Sequence, residues 1–223
     1  MKRVLRLCAL LLALDAAALA QPPESFLNPM RELEQTAPAE AQELTRRAVA
    51  AMTRNDLAAA KRDFEKILTL IPDNIPTTIN LSLIAYQRKE YPQAEKLLKK
   101  VARAEPESGL PWLLLGVIYY DQEKFEAALA ALAQAVLYAP KDARAHHFLG
   151  VTIGRKGWLS GAEEELRKAI ALNPDYGEAH FNLAIFYLQH TPPAIELARR
   201  HYQKSLDLGG AVDAVVEKRL TAE

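Results

Sequence analysis

"PWLLLGVIYY" (residues 111–120) carries no charged side chain, and Leu110 extends the apolar run. A buried strand, a piece of membrane helix and a soluble helix without a solvated face would all read this way. A bilayer-spanning helix needs about 20 apolar residues, and this run is roughly half that. What decides is that the pattern comes back. Pro72, Pro106, Pro140 and Pro174 are spaced by 34 residues. The step is the same for Ala60, Ala94, Ala128 and Ala162, and for Leu81, Leu115, Leu149 and Leu183. Small residues follow it too: Ala48, Ser82, Gly116, Gly150 and Ala184. Several registers sharing one period mean a repeat array.

Each period holds two apolar-periodic stretches of about a dozen residues, the length of ordinary helices. Each proline falls just past a helical pattern such as "ALAQAVLY", where it stops the helix and starts the turn. Glycine or alanine on both helices of a pair lets them approach closely. A lone helix pair leaves an apolar face bare, so neighbouring pairs must stack.

The third period reads Trp112-x-x-Leu115-Gly116-x-x-Tyr119, then Ala128-x-x-x-Leu132, then Pro140. This resembles the tetratricopeptide repeat (TPR), with Leu132 where an aromatic is usual. The resemblance covers about residues 41–210. It implies an all-α fold: helical hairpins stacked as a right-handed superhelical solenoid. The expected units are 41–74, 75–108, 109–142, 143–176 and 177–210. The first departs most, with Arg47 in the Leu115 slot, as suits an end unit whose outer face meets water. In the fifth, the later markers Ala198, Tyr202 and Ser205 come two residues late. "QHTPPAIE" holds the insertion, and Thr191 before Pro192 is the expected N-cap of the following helix. Residues 211–223 are expected to form a capping helix, burying Val212, Val215, Val216 and Leu220 and turning Glu217, Lys218 and Arg219 away.

The N-terminus reads differently. Lys2, Arg3 and Arg6 precede an apolar stretch from Leu7 to Leu19 that is broken by Asp15 and ends in Ala18-Leu19-Ala20. This is the pattern of a signal peptide, residues 1–20, cut before Gln21. An uncleaved anchor is the other reading. Residues 21–40 form a proline-flanked leader. Cys8 is the sole cysteine, so the core has to hold without disulfides. The expected location is the cell envelope, periplasm or secreted space, with no integral span after cleavage.

Basic and acidic residues balance at 28 each, which gives no pull toward nucleic acid. No Gly-rich phosphate loop, Cys–His metal spacing or G-x-S-x-G elbow is present. His146 and His180 share one slot in adjacent repeats, and His147 points elsewhere. No acidic or sulfur ligand repeats with them, so packing is expected rather than a metal. Glu163 and Glu164 fall four residues before Arg167 and Lys168, as pairs on a solvated helix face. The expectation is therefore a non-enzyme with no catalytic residues, metal or cofactor.

If the chain resembles a TPR array, the first helix of each repeat lines the concave side. In the third repeat Leu113, Val117 and Tyr120 share the inward face. Their counterparts are Ile79, Leu83 and Tyr86 in the second repeat, His147 and Val151 in the fourth, and Phe181 and Ile185 in the fifth. The middle slot is Val49, Leu83, Val117, Val151 and Ile185. In TPR units this slot is often an asparagine that bonds a peptide backbone; here it is branched aliphatic throughout. The expected role is a protein-binding scaffold whose apolar groove takes an apolar or amphipathic segment of a protein partner. Two alternatives stay open. The face is closed by its own neighbours, or it is filled by the leader (Phe26, Leu27, Met30, Leu33) or by a second copy in a homodimer.

Overall fold

A computed structural model describes residues 38–221. The signal-peptide expectation and the leader up to residue 37 lie outside the described residues; Ala39 and Glu40, read as leader, open the first helix instead. Every regular element among the described residues is an α-helix. They fall into two compact units, one running to Pro106 and one from Glu107.

In the first unit, α1 (Ala39–Thr53) pairs with α2 (Leu57–Leu70), and α3 (Ile75–Gln87) with α4 (Tyr91–Ala104). The interior joins Leu44, Ala48 and Met52 of α1 to Phe64 and Ile67 of α2, and to Leu81 and Ile84 of α3. Leu81 thus inserts toward the preceding hairpin. Arg47, in the same slot one repeat earlier, is exposed, and its Nη2 lies 3.2 Å from Oδ1 of the buried Asp63.

In the second unit, α5 (Gly109–Asp121) pairs with α6 (Phe125–Tyr138), α7 (Ala143–Arg155) with α8 (Leu159–Leu172), and α9 (Gly177–Gln189) with α10 (Ile195–Asp207). Between hairpins, α6 packs on α7 and α8 on α9. The first helices also touch in order, α5 with α7 and α7 with α9. The stretch quoted above is the body of α5. Of its ten residues only Trp112 and Tyr119 keep partial exposure, which explains the missing charges. Gly116 is required by close approach: a Cβ there would lie 2.4 Å from Leu132 Cγ.

The turns inside the first four hairpins are three residues long and alike. The middle residue of each is left-handed: Asn55, Lys89, Glu123 and Gly157, with φ of 58°, 59°, 58° and 83°. The next amide then bonds back into the helix, as in Asp56 N–H to Ala51 O (2.8 Å), Glu90 to Ala85 (2.8 Å) and Lys124 to Tyr119 (2.9 Å). This is the Schellman closure, which satisfies carbonyls that would otherwise be orphaned at the helix end.

The fifth hairpin differs. Its turn, 190–194, has five residues, and the left-handed position is gone. Thr191 is not the N-cap; Ala194 occupies that position without a side-chain bond. The sequence explains why. Pro193 disfavours helical backbone at Pro192, so the helix cannot begin until both prolines are passed. The Ala194 N–H then bonds Tyr187 O at 3.0 Å and ties the loop to α9.

The last helix, α11 (Ala214–Leu220), docks on α9 and α10. Val216 and Leu220 are buried, but Val212 and Val215 are exposed. Asp213 caps α11 by accepting from Val215 and Val216 N–H, so Val212 falls outside the helix. Arg219 does not turn away either. Its guanidinium donates to Leu188 O at the end of α9, and Arg199 donates to Leu220 O at 2.9 Å. A cation on the terminal carbonyls of a helix is favoured by its dipole.

Candidate functional site

In the first unit the triad read as inward-facing, Ile79, Leu83 and Tyr86, lies along α3 and is buried. In the second unit Leu113, Val117 and Tyr120 on α5, His147 and Val151 on α7, and Ile185 on α9 are buried as well. Phe181 is half-buried, its ring 6.3 Å from that of Tyr202. Nine of the ten residues read as groove-lining are therefore covered. Three consecutive turns of helix have to present each triad, which is why the i, i+4, i+7 spacing was legible.

The tyrosines at the ends of these helices share one environment. Tyr86 meets Tyr91 with ring centroids 6.1 Å apart, and Tyr120 meets Phe125 edge-on at 5.6 Å. One repeat later the slot is Gly154. There Phe186 of α9 moves in, and a Cβ on Gly154 would lie 2.1 Å from its Cζ. A ring thus fills each of these places, though from a different helix in the fourth repeat.

The face read as inward is not wholly apolar in the second unit. His147 is 1% exposed. The Asn182 amide donates to its Nε2 at 2.9 Å, and its remaining N–H, on Nδ1, donates to Tyr176 Oη at 3.0 Å. Both ring nitrogens are thereby satisfied by neutral partners. Burial drives the His147 pKa down to about 3, so the ring is neutral. Burial likewise pushes the Tyr176 phenol up. Sequence spacing did not single out Asn182, which adjoins Phe181 on α9. Tyr176, the residue preceding α9, carried no signal, because its contact crosses 29 residues of chain.

The other histidines do repeat a device. His146 and His180 each donate from Nε2 to the carbonyl of the proline six residues back, Pro140 and Pro174, at 3.1 Å in both cases. Their Nδ1 atoms meet the next helix: His146 meets Glu165 at 2.7 Å, and His180 accepts from His201 Nδ1–H at 2.9 Å. Among the described residues no group of three or more His, Cys, Asp or Glu side chains is placed to hold a metal ion. No described helix is long and apolar enough to cross a membrane.

Glu163 corrects the expectation of a solvated pair. It does bond Arg167, at 3.0 Å, but it is buried and also meets His190 at the start of the five-residue turn. Glu164, paired with Lys168 at 2.8 Å, is on the solvated side as expected.

Three models of the tetratricopeptide repeat match the chain, over residues 51–110 and 85–150, 143–176, and 165–207. No curated protein matches by sequence. Among solved structures, PilF of Pseudomonas aeruginosa is 18% identical with a TM-score of 0.71, over 79% of each chain. MamA (41-end) of Desulfovibrio magneticus RS-1 is 20% identical with a TM-score of 0.64, over 77% of this chain and 96% of that one. YrrB, described as a TPR protein with an unusual peptide-binding site, is 21% identical with a TM-score of 0.57, over 88% and 96%. At such identities these likenesses speak for the fold. The repeat models together run from Ala51 to Asp207, and the helices beneath them are the hairpins the 34-residue period demands; the chain belongs to the tetratricopeptide repeat family.

Proposed function

We propose that this protein is a non-catalytic scaffold of the cell envelope or secreted space that holds an apolar or amphipathic segment of a protein partner on its inward face. The observation that carries the reading is the middle slot. Val49, Leu83, Val117, Val151 and Ile185 recur at one 34-residue step, with no amide or charge among them. Such a strip has no group to bond a peptide backbone, so it selects for side-chain shape. Rigid hairpins lose little conformational entropy on binding. The peptide-binding site named for YrrB, a protein of similar fold, is in keeping with this. The export assignment rests on residues 1–20 and on a core that holds without disulfides.

The test is capture of partners from the envelope fraction by the full chain and by Leu83→Asp with Val117→Asp. Partners that survive the double variant, with helical circular dichroism intact, would overturn the groove reading. If the charges unfold the protein, Val117→Thr with Val151→Thr keeps the volume and inserts polarity.

A second reading is that the leader or a second copy fills the face; the burial of nine of its ten residues within one chain bears on closure inside the chain, not on a second copy. Deleting residues 21–38 separates the two. A self-filled face would then bind a hydrophobic dye strongly, whereas an open one would barely change.

A further inference from the structure

The second helix of each hairpin keeps one stripe in solvent, spaced i, i+3, i+7. On α2 this stripe holds Arg62, Glu65 and Thr69, and on α4 Lys96, Lys99 and Arg103. On α8 it holds Glu164, Arg167 and Ala171, and on α10, after the two-residue shift, Arg200, Gln203 and Asp207. All of these are exposed. On α6 the same slots carry Ala130, Ala133 and Leu137, which are exposed as well.

Exposed alanine needs no partner, being the best helix former. Leu137 is different. It is 66% exposed, in a slot that is polar on α2, α4 and α10. Tyr138 beside it is exposed too, and Leu129 and Val136 flank the stripe half-buried. Within α6 the one charged side chain is Glu126, in the first turn. An apolar helix face left in solvent marks a contact with another molecule.

This face fits a second copy of itself. Its halves are complementary about a point between Ala133 and Gln134. The small Ala130 lies as far to one side as the bulky Leu137 to the other. Glu126 lies as far to one side as Lys141, exposed in the turn after the helix, lies to the other. A two-fold axis through that point runs two α6 helices antiparallel. Leu137 of each copy then sits over Ala130 of the other, and Lys141 of each reaches Glu126 of the other. Glu126 already holds Lys156, and a carboxylate has lone pairs for both. The alanines at the crossing let the helix axes approach to about 8 Å. A match of small with large and acid with base at equal distances is what an isologous contact requires of one surface.

We propose that the solvated face of α6 is where two copies of this chain associate, antiparallel and two-fold, through Ala130, Ala133 and Leu137. The helix has 14 residues, about 21 Å, so a single crossing buries less than the roughly 1,200 Å² at which stable complexes begin. The dimer is therefore weak and exchanges with monomer. It uses a face other than the one read as inward, so it stands apart from the groove reading.

The test is analytical ultracentrifugation of the full chain from low to high micromolar concentration. The expected result is a reversible monomer–dimer equilibrium. Ala133→Lys with Leu137→Arg installs what α4 carries in the same slots, so the thermal midpoint should hold. Like charges would then meet across the axis and weaken the dimer about tenfold or more. Ala130→Leu adds apolar surface but overfills the place that Leu137 of the other copy takes, and should weaken the dimer about fivefold or more. Ala130→Leu with Leu137→Ala moves the large side chain to the other half of the pair and should restore it. A monomer at every concentration, an oligomer larger than a dimer, unchanged association in Ala133→Lys with Leu137→Arg, or tighter association in Ala130→Leu would overturn the proposal. Val117→Thr with Val151→Thr should dimerise as wild type does; loss of the dimer there would place the second copy on the other face instead. Capture of a persistently monomeric chain by phosphatidylglycerol vesicles, released by Ala133→Lys with Leu137→Arg, would also overturn it, by making a bilayer the occupant.

Discussion

Acidification from about pH 7 to about pH 5 should destabilise this protein chiefly through His147. The ring is held neutral between Tyr176 and Asn182, and its pKa falls from 6.5 to about 3 because burial disfavours the charged form. The unfolded chain therefore binds the proton that the folded chain refuses. The stabilising contribution is fully present above about pH 6.5 and is lost as pH falls toward 3. At about pH 5 the loss is roughly 1.5 pH units at 1.36 kcal/mol each, or ~2 kcal/mol. His201, lowered to about 4 by burial and by His180, Arg200 and Arg167, acts with the same sign. It is half exposed, so its share is nearer ~1 kcal/mol. For an array of this size ~2 kcal/mol corresponds to a fall of about 4–8 °C in Tm. The assay is urea unfolding by far-UV circular dichroism at both pH values, on wild type and on His147→Gln, whose amide can still bond both partners. The variant should be weaker at about pH 7 but lose ~2 kcal/mol less on acidification. If it loses as much as wild type, His147 is not the source of the acid sensitivity.

Lys89 and Glu123 occupy the left-handed turn position that Gly157 fills without strain, so Lys89→Gly and Glu123→Gly should each stabilise the fold by about 0.5–1 kcal/mol, read as a higher urea midpoint. An unchanged or lower midpoint would contradict the strain assignment. Gly116→Ala should cost about 1–3 kcal/mol, because its methyl would collide with Leu132 Cγ rather than a mobile side-chain tip; calorimetry would read it. Tyr202→Phe removes the hydroxyl that accepts from Asp213 N–H at 2.7 Å, and should cost about 1 kcal/mol. Hydrogen exchange should then quicken in α11 before the rest of the second unit. Uniform quickening would mean that α11 is not a separately docked cap.

The two proline effects in the fifth repeat show where sequence reasoning stopped. The two-residue shift of Ala198, Tyr202 and Ser205 placed the insertion. The helix start did not follow from Thr191-Pro192, because a single proline suits a first turn and a second one forbids the residue before it. Val212 was assigned to α11 by period alone, yet Asp213 is the stronger cap and begins the helix after it. Glu163 looked like a surface pair because its spacing to Arg167 is local; its burial comes from α9 and the enlarged turn, elements distant in sequence.

Hairpin content, register and which side chains share a helix face were all written in the sequence. They depend on a period of 34 and a helical pitch of 3.6, both local and both repeated until chance was excluded. Tertiary structure alone decided what each of those side chains meets. Whether a tyrosine packs on its own hairpin, as Tyr120 does, or its place is taken by Phe186 beside Gly154, depends on a neighbour one repeat away. Likewise His147 became a neutral, buried hydrogen-bonded group only when Tyr176 and Asn182 closed around it. Sequence spacing fixes the face on which a side chain stands; the partner across that face comes from another helix, and only the folded chain brings it there.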